Sequence, residues 1–263
     1  MILKTDVCVI CVDYRDLVVN IFFICCKYLH PLIVKRKNKL EIRGFLENSF
    51  IDYPGKLSCV IFTYGCNLRC SWCHSPSLVT ESKFKLKKYN LDKIIKFIKE
   101  KNKNKKWIDA VVVCGGEPTI QKDLINSLKQ IRKELPDIMI KLDTNGTNPI
   151  VLNDIIKNDL VDYIAMDVKL GQLNSDKYRN SIGLVKSFKD YEFRMTCCPS
   201  EINDENVKQI NMFFGAKLFV FQNFNNRNKM IDSKYKKIIP YKEEKLIEWA
   251  RMSKDWFDKV LIR

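Results

Sequence analysis

Residues that break regular structure are scarce in this 263-residue sequence, which has nine glycines and eight prolines. This scarcity excludes a collagen-like chain and a low-complexity protein. Hydrophobic residues make up 46% of the sequence and charged residues 29%, so the chain can bury a sizeable core and is not a disordered tail. Its length somewhat exceeds one average domain and is within the range of a single α/β barrel.

The first residues of the sequence do not match the pattern of a secretory signal, so we expect no export, and long apolar runs are also lacking. The densest apolar run, residues 17–26, is too short to span a bilayer. We therefore expect a cytoplasmic protein and no membrane contact by residues 17–34. Residues 1–40 are interpreted as an N-terminal extension, with a packed appendage, a membrane-associated segment and a start codon placed too early as open alternatives. Charged residues interrupt the first sixteen positions, where a signal peptide needs an apolar stretch: Asp6, Asp13, Arg15 and Asp16.

Positive charge predominates, since 46 Lys and Arg residues stand against 31 Asp and Glu, for a net charge of +15. The basic residues are spread along the whole chain, which favours a compositional origin over a nucleic-acid site. We therefore expect no nucleic-acid partner. Docking to an acidic protein is compatible with the same charge.

Cysteine is abundant, with eleven residues. In a chain without an export signal, metal-bound thiols in a reducing cytoplasm explain this number better than disulfides. Cys66, Cys70 and Cys73 have the spacing C-x3-C-x2-C, on a loop directly after an apolar strand predicted at 57–63. In a parallel sheet that loop lies at the carboxyl edge, where ligand sites are built. Three such thiolates can hold three corners of a cubane iron–sulfur cluster and leave the fourth iron open.

The same loop allows other interpretations. Residues 70–74 match C-x-x-C-H, the attachment pattern of c-type haem, but that chemistry requires export, and the only other histidine is His30. A zinc site needs a fourth ligand nearby, and His74 directly follows Cys73, which makes a poor chelate. A thioredoxin-like C-x-x-C leaves Cys66 unexplained. An iron–sulfur cluster is therefore the favoured interpretation.

Strand-like and helix-like patterns alternate about six times after residue 42, which is typical of parallel βαβ units in a doubly wound sheet or a barrel. No linker rich in glycine or proline interrupts residues 41–263, so we predict one domain there. The predicted strands are 57–63, 110–114, 139–142, 163–168, 192–196, 217–222 and a short 260–262. The predicted helices are one capped by Asn90 and those at 123–135, 149–157, 174–182, 204–214 and 243–254.

Two further motifs stand at the ends of predicted strands. Gly115, Gly116 and Glu117 belong to a Gly-Gly-Glu-Pro turn after the second strand, and its glycines allow a close approach of the backbone to a ligand. Asp143 and Asn145 belong to an Asp-Thr-Asn-Gly turn after the third strand. Taken alone, each motif is an ordinary turn.

Together these motifs resemble the radical S-adenosylmethionine (radical SAM) superfamily, in which a C-x3-C-x-aromatic-C loop follows the first strand. The resemblance implies an α/β fold, a partial, open parallel (β/α)6 barrel. It also implies a [4Fe–4S] cluster held by Cys66, Cys70 and Cys73, with SAM on the fourth iron. No second C-x2-C motif lies between Cys73 and Gly115, so one cluster is expected. The amino group of SAM is expected to face either Glu117 or the carbonyl groups at the strand edge. The residues expected to bind SAM are Trp72, Gly115, Gly116, Glu117, Asp143 and Asn145.

One branch of the superfamily matches more closely, in order over residues 42–263. These segments resemble the anaerobic ribonucleoside-triphosphate reductase activating proteins, among the glycyl-radical-enzyme activases. In the matching segment 161–169, Asp167 and Lys169 either face the predicted SAM pocket or pair with each other. The matching segments are 44–56, 115–119, 142–146, 161–169 and 191–196. The sequence departs from the usual pattern, without losing a cluster ligand, at Ser75, Cys114, Cys197 and Cys198.

This second resemblance implies an enzyme that cleaves SAM to a 5′-deoxyadenosyl radical and generates a glycyl radical on a partner enzyme. The implied partner is an anaerobic ribonucleotide reductase, and the implied electron donor is a flavodoxin- or ferredoxin-like protein. Two alternatives stay open. One is a radical SAM enzyme that modifies a small molecule or tRNA; the other is a non-catalytic Fe–S or zinc-binding module, which leaves the two turn motifs unexplained.

Overall fold

The computed structural model describes residues 40–263. In these residues eight strands form one sheet, and each strand pairs with its neighbours in chain order. The prediction of an extension at 1–40 and the prediction about membrane contact at 17–34 lie outside the described residues, Leu40 excepted. The strands are β1 Ile42–Ser49, β2 Ser58–Thr63, β3 Ala110–Gly115, β4 Met139–Thr144, β5 Tyr163–Asp167, β6 Tyr191–Cys197, β7 Phe219–Asn223 and β8 Val260–Ile262.

Helices fill most connections between the parallel strands. Asn90 caps the helix Leu91–Lys101 as predicted, since its Oδ1 accepts a 2.8 Å hydrogen bond from the Asp92 N–H. Within residues 40–263 no helix is both long and apolar enough to cross a lipid bilayer. The α-helices are α1 Pro76–Thr80, α2 Leu91–Lys101, α3 Leu124–Glu134, α4 Pro149–Lys157, α5 Asp176–Lys186 and α6 Glu243–Met252. Short 3₁₀ helices lie at Lys83–Lys85, Pro118–Ile120, Leu170–Gln172 and Ser233–Lys237.

The helix predicted at 204–214 is a 3₁₀ helix, Asn206–Phe213. A side-chain hydrogen bond lies at its start: Asn203 Oδ1 accepts a 2.9 Å hydrogen bond from the Asn206 N–H. Asparagine side chains that bind nearby backbone in this way compete with α-helical hydrogen bonding. The apolar periodicity of this segment is real, and Val207 and Ile210 are buried, but it does not distinguish the two helix types.

Both faces of the sheet carry buried side chains. Side chains alternate between the two sides along each strand, so each strand contributes residues to both faces. On the outer side, Ile61, Val111 and Leu142 pack in the main core with the helices. On the inner side, Val60 and Val112 form a smaller cluster with Tyr53. Toward the carboxyl ends of the strands the inner side becomes polar, and this end contains the candidate site.

The parallel strands confirm the predicted fold class. Strands β2–β8 all run parallel. Of these, β2–β7 form the six-stranded barrel unit, and β8 is the predicted short strand at its edge. In the described part of the chain, β1 and β8 are not paired with each other, so the barrel is partial and open.

One strand is absent from the sequence-based prediction. β1 pairs antiparallel with β2, so the strand predicted as the first of the sheet is the second. Register shifts between Ile42 and Gly44 and between Leu46 and Ser49 interrupt the pairing, and the polar residues of β1 do not alternate strictly. A regular two-residue period, the main sequence signal of a strand, is therefore missing.

Candidate active site

A cavity of about 380 Å³ lies at the carboxyl ends of strands β2–β7. The loop after β2 contributes the cysteines, and the ends of the following strands contribute charged and polar groups. The structure brings to this one cavity residues that lie as far as 170 positions apart in the chain, from Asp52 to Gln222. All nine residues predicted to bind the cluster or SAM line it: Cys66, Cys70, Trp72, Cys73, Gly115, Gly116, Glu117, Asp143 and Asn145.

The three cysteines of the loop are free thiols, each partly accessible. Two N–H donors lie near Cys66 Sγ: the Leu68 N–H at 3.3 Å and Asn145 Nδ2 at 3.8 Å. Burial raises the pKa of the Cys66 and Cys73 thiols above the ordinary value. Within the described chain, no three His, Cys, Asp or Glu side chains converge on one point where a single metal ion can sit. Ligands to three different irons of a cluster do not require such convergence.

Gly115 and Gly116 allow the turn after β3 to lie directly against the backbone that leads into the cysteine loop. Gly115 has a φ of +123°, which side-chain-bearing residues rarely adopt. A Cβ on Gly116 would lie 1.9 Å from the carbonyl oxygen of Gly65. That same oxygen accepts a 2.8 Å hydrogen bond from the Glu117 N–H. The two glycines therefore set the distance between this turn and the cysteine loop.

We expect Gly116→Ala to lower the free energy of unfolding by about 1–3 kcal/mol, the usual cost of forcing an extra methyl group into a closed contact. The clash is with backbone, so the cysteine loop has to move. Urea denaturation of the apo-protein measures the effect. The matched control is Gly171→Ala, where a Cβ would meet no described atom within 4 Å. Equal stability of the two variants would contradict the close packing described for Gly116.

Glu117 joins the turn after β3 to the turn after β4. It is 1% exposed. Its Oε1 accepts hydrogen bonds from the Thr119 N–H at 3.0 Å and from Thr144 Oγ1 at 2.8 Å, and its Oε2 accepts from the Asn145 N–H at 2.6 Å. Burial raises the pKa of Glu117 above its ordinary value, and these donors offset part of the rise. The carboxyl group thus holds the two turns together, and its contact with SAM stays a prediction.

A row of alternating charges crosses the inner side of strands β4–β6. Asp143 pairs with Lys141 at 2.7 Å and with Arg194 at 2.9 Å, and Arg194 also pairs with Asp167 at 3.0 Å. Asp167 in turn pairs with Lys169 at 3.3 Å. Burial acts to raise the pKa of Asp167, but the charges of Lys169 and Arg194 outweigh it and lower that pKa. Asp167 and Lys169 both line the cavity, and they also pair with each other. The two alternatives that the sequence left open for these residues are therefore both observed.

Asn145 and Trp72 each connect the cavity to a neighbouring part of the site. Asn145 Nδ2 donates a 3.0 Å hydrogen bond to Asn67 Oδ1, which links the turn after β4 to the cysteine loop. The Trp72 ring lines the cavity, and its centroid lies 6.2 Å from that of the Tyr235 ring. Trp72 therefore forms part of the cavity wall while it packs against a distant segment of the chain.

Sequence reasoning missed several cavity residues, among them Arg194, Thr196 and Gln222. A signal for the first two was present. Glu192, Arg194 and Thr196 occupy every second position of β6, so one face of an otherwise buried strand is polar. In a barrel, that pattern indicates a polar interior.

The family model described as "Radical SAM superfamily" matches residues 60–192. A protein of Methanocaldococcus jannaschii named as a candidate glycyl-radical enzyme activating enzyme is 33% identical over 241 residues, which cover 86% of this chain and 96% of that protein. The pyruvate formate-lyase-activating enzyme of Clostridium pasteurianum is 27% identical over 167 residues, 61% of this chain and 63% of that enzyme.

Among solved structures, SuiB of Streptococcus suis, in a structure bound to S-adenosylmethionine, has the same fold. The TM-score is 0.56 at 17% identity, over 95% of this chain and 57% of SuiB. The chain is a member of the radical SAM superfamily, an enzyme whose cofactors are a [4Fe–4S] cluster and SAM. Within that superfamily it belongs to the branch of the glycyl-radical enzyme activating enzymes.

Proposed function

We propose that this enzyme generates a glycyl radical on an anaerobic ribonucleoside-triphosphate reductase. The observation that carries the proposal is the cavity itself, in which a three-cysteine loop and a row of buried charges meet at the carboxyl ends of an open barrel. The similarity to relatives named as activating enzymes supports a protein substrate.

The cysteine loop fits an iron–sulfur cluster. Cys66, Cys70 and Cys73 supply sulfur ligands on one loop, and N–H groups near Cys66 Sγ can donate to a thiolate. Hydrogen-bond donors to metal ligands orient those ligands and tune the metal centre that the ligands bind. These three residues would bind three irons, and the fourth would face the cavity.

The rest of the cavity suits SAM, which carries an amino group, a carboxylate and a sulfonium. Gly115 and Gly116 expose backbone to the cavity, and the polar residues Asp143, near the end of β4, and Asn145, directly after it, also line it. Trp72 offers an aromatic face for adenine. The carboxylate of SAM can pair with Arg194 or Lys169, the two cations of the charge row that line the cavity.

Together, the bound cluster and SAM supply a one-electron cleavage of the S–C5′ bond, with methionine and a 5′-deoxyadenosyl radical as products. The residues of this chain bind and orient. The hydrogen bonds of Glu117 hold two SAM-facing turns at a constant separation. The ion pairs of Arg194 keep two cavity carboxylates in place, so the site is arranged before SAM binds.

The partner is a large protein, so its reactive glycine must enter the barrel on an extended segment. Support comes from the sheet, whose first and last strands in residues 40–263 are not joined to each other. The electron in this proposal comes from a flavodoxin- or ferredoxin-like protein, since one-electron donors of low potential are of these types.

The test is anaerobic incubation of the reconstituted enzyme with SAM, dithionite and the anaerobic ribonucleotide reductase of the same organism. We expect the doublet EPR signal of a glycyl radical on the reductase, with 5′-deoxyadenosine formed in equal amount. Labelling the reductase with deuterated glycine should collapse the doublet.

Pyruvate formate-lyase in place of the reductase is the specificity control, and the Cys73→Ala enzyme is the negative control. If the glycyl radical forms on pyruvate formate-lyase and not on the reductase, the proposed partner is wrong and the enzyme activates a different glycyl-radical enzyme. Cleavage of SAM without a protein radical on either enzyme would favour a small-molecule or RNA substrate and overturn the proposal.

A further inference from the structure

The segment 224–238, between β7 and α6, lies over the cysteine loop; we refer to it as the strap. His74 Nε2 lies 2.9 Å from the carbonyl oxygen of Asn225, and since a carbonyl only accepts, Nε2 carries the proton. The His74 ring also stacks on Phe224, with 6.1 Å between centroids. The Asp232 N–H donates a 3.0 Å hydrogen bond to the Ser71 carbonyl oxygen. The strap therefore contacts the loop at two separate points.

The strap is itself held in place. Phe224 and Met230 are buried with Cys198 in a small apolar cluster, against which Trp72 of the cysteine loop also packs. The Tyr235 hydroxyl donates a hydrogen bond to Glu201. Within the strap, Asn226 Nδ2 donates a 2.9 Å hydrogen bond to the Ile238 carbonyl oxygen, which joins the two ends of the segment. Because the strap is anchored to the body of the protein, its contacts can fix the position of a neighbouring loop.

The loop needs such support. One backbone hydrogen bond of 3.0 Å, from the Cys73 N–H to the Cys70 carbonyl oxygen, closes its second half. The strap contacts fall on Ser71, Trp72 and His74, which are the residues between and after the second and third cysteines. A site that binds three irons at once requires its sulfurs to be held within a fraction of an ångström of the productive geometry.

We propose that the strap positions the cysteine loop for cluster binding, and that His74 is a positioning residue that acts through its hydrogen bond to the strap. The inference rests on the proposed role of Cys66, Cys70 and Cys73 as cluster ligands. It assigns a role to His74, which the C-x-x-C-H pattern alone suggested only as a haem-type histidine.

Two substitutions separate the contacts of His74. His74→Phe keeps an aromatic ring for stacking on Phe224 but removes the N–H donor. His74→Gln removes the ring but keeps a donor that can reach the Asn225 carbonyl oxygen. Lys236→Ala is the matched control, an exposed change within the strap. The unfolding midpoint of each variant shows that the fold is kept.

The first readout is hydrogen–deuterium exchange of the apo-protein. Loss of one hydrogen bond of ordinary strength should speed exchange of the amides in residues 70–74 about tenfold in His74→Phe. His74→Gln should restore most of the protection, and Lys236→Ala should match the wild type. The second readout is the iron retained by reconstituted protein under chelator, together with the change in the cluster EPR signal on addition of SAM. Both should be reduced in His74→Phe and rescued in His74→Gln.

The outcomes are separable. If the wild type itself assembles no cluster, the proposed function fails, whatever the strap does. If the wild type assembles a SAM-responsive cluster and His74→Phe shows wild-type exchange and iron retention, the inference about His74 is overturned. Equal damage in His74→Phe and His74→Gln would also overturn it, because the hydrogen bond would then not be the cause.

Discussion

Alanine at Cys66, Cys70 or Cys73 is expected to abolish cluster assembly and SAM cleavage in each single variant. Each thiolate would bind a different iron, so two remaining cysteines cannot hold the cube with one iron left open for SAM. Iron content after anaerobic reconstitution should fall to below about a tenth of the wild-type value. Loss of a hydrogen-bond partner of a metal ligand typically lowers metal affinity 10–100-fold, and loss of a direct ligand costs more. Release of 5′-deoxyadenosine should be undetectable.

Iron and sulfide analysis, low-temperature EPR and chromatographic detection of 5′-deoxyadenosine measure these effects. Cys197→Ala is the matched control, because Cys197 is a buried free thiol outside the cavity lining. It should keep both cluster and cleavage. Wild-type SAM cleavage in any of the three loop variants would show that the ligand assignment is wrong.

Glu117→Ala is expected to weaken SAM binding at least about tenfold while iron is retained. The substitution leaves the Asn145 and Thr119 N–H groups and the Thr144 hydroxyl without their buried acceptor. Unsatisfied buried donors cost about 1–3 kcal/mol each, so the loss of their acceptor should lower the free energy of unfolding by at least about 3 kcal/mol, in addition to the loss of affinity. Iron should be retained because the three cysteines lie on a different loop and the substitution leaves their thiols unchanged.

Isothermal titration with SAM and iron analysis on the same preparation separate the two effects. Glu117→Gln is the informative partner variant, because it keeps one acceptor oxygen and replaces the other by an NH2 group, which repels an N–H donor. It should lie between the wild type and Glu117→Ala. Glu134→Ala is the control, since Glu134 is an exposed α3 carboxylate paired with Lys99. Unchanged SAM affinity in Glu117→Ala would refute a role for Glu117 in this site.

The two predictions rest on different kinds of information. The predicted role of the cysteines follows from their spacing along eight residues of sequence. The hydrogen bonds of Glu117 connect residues up to 28 positions apart and depend on how the ends of β3 and β4 meet. The sequence indicated Glu117 through its motif, and the structure showed which groups it holds.

The sequence by itself determined the order of the parallel strands, the cysteine loop and the two turn motifs. These features are local: a strand or helix is read from a period of two or 3.6 residues, and a chelating loop from close spacing. Parallel strands in chain order then bring their carboxyl ends to one edge, which is why nine residues predicted from separate motifs line one cavity.

Only the tertiary structure decided the position of β1, the charge row and the strap. β1 depends on a pairing with shifted register, which leaves no regular period in its own residues. Arg194 meets Asp143 across 51 positions, and His74 meets Asn225 across 151. Contacts at such separations depend on how whole elements pack, and no local pattern encodes the partner of a single polar side chain.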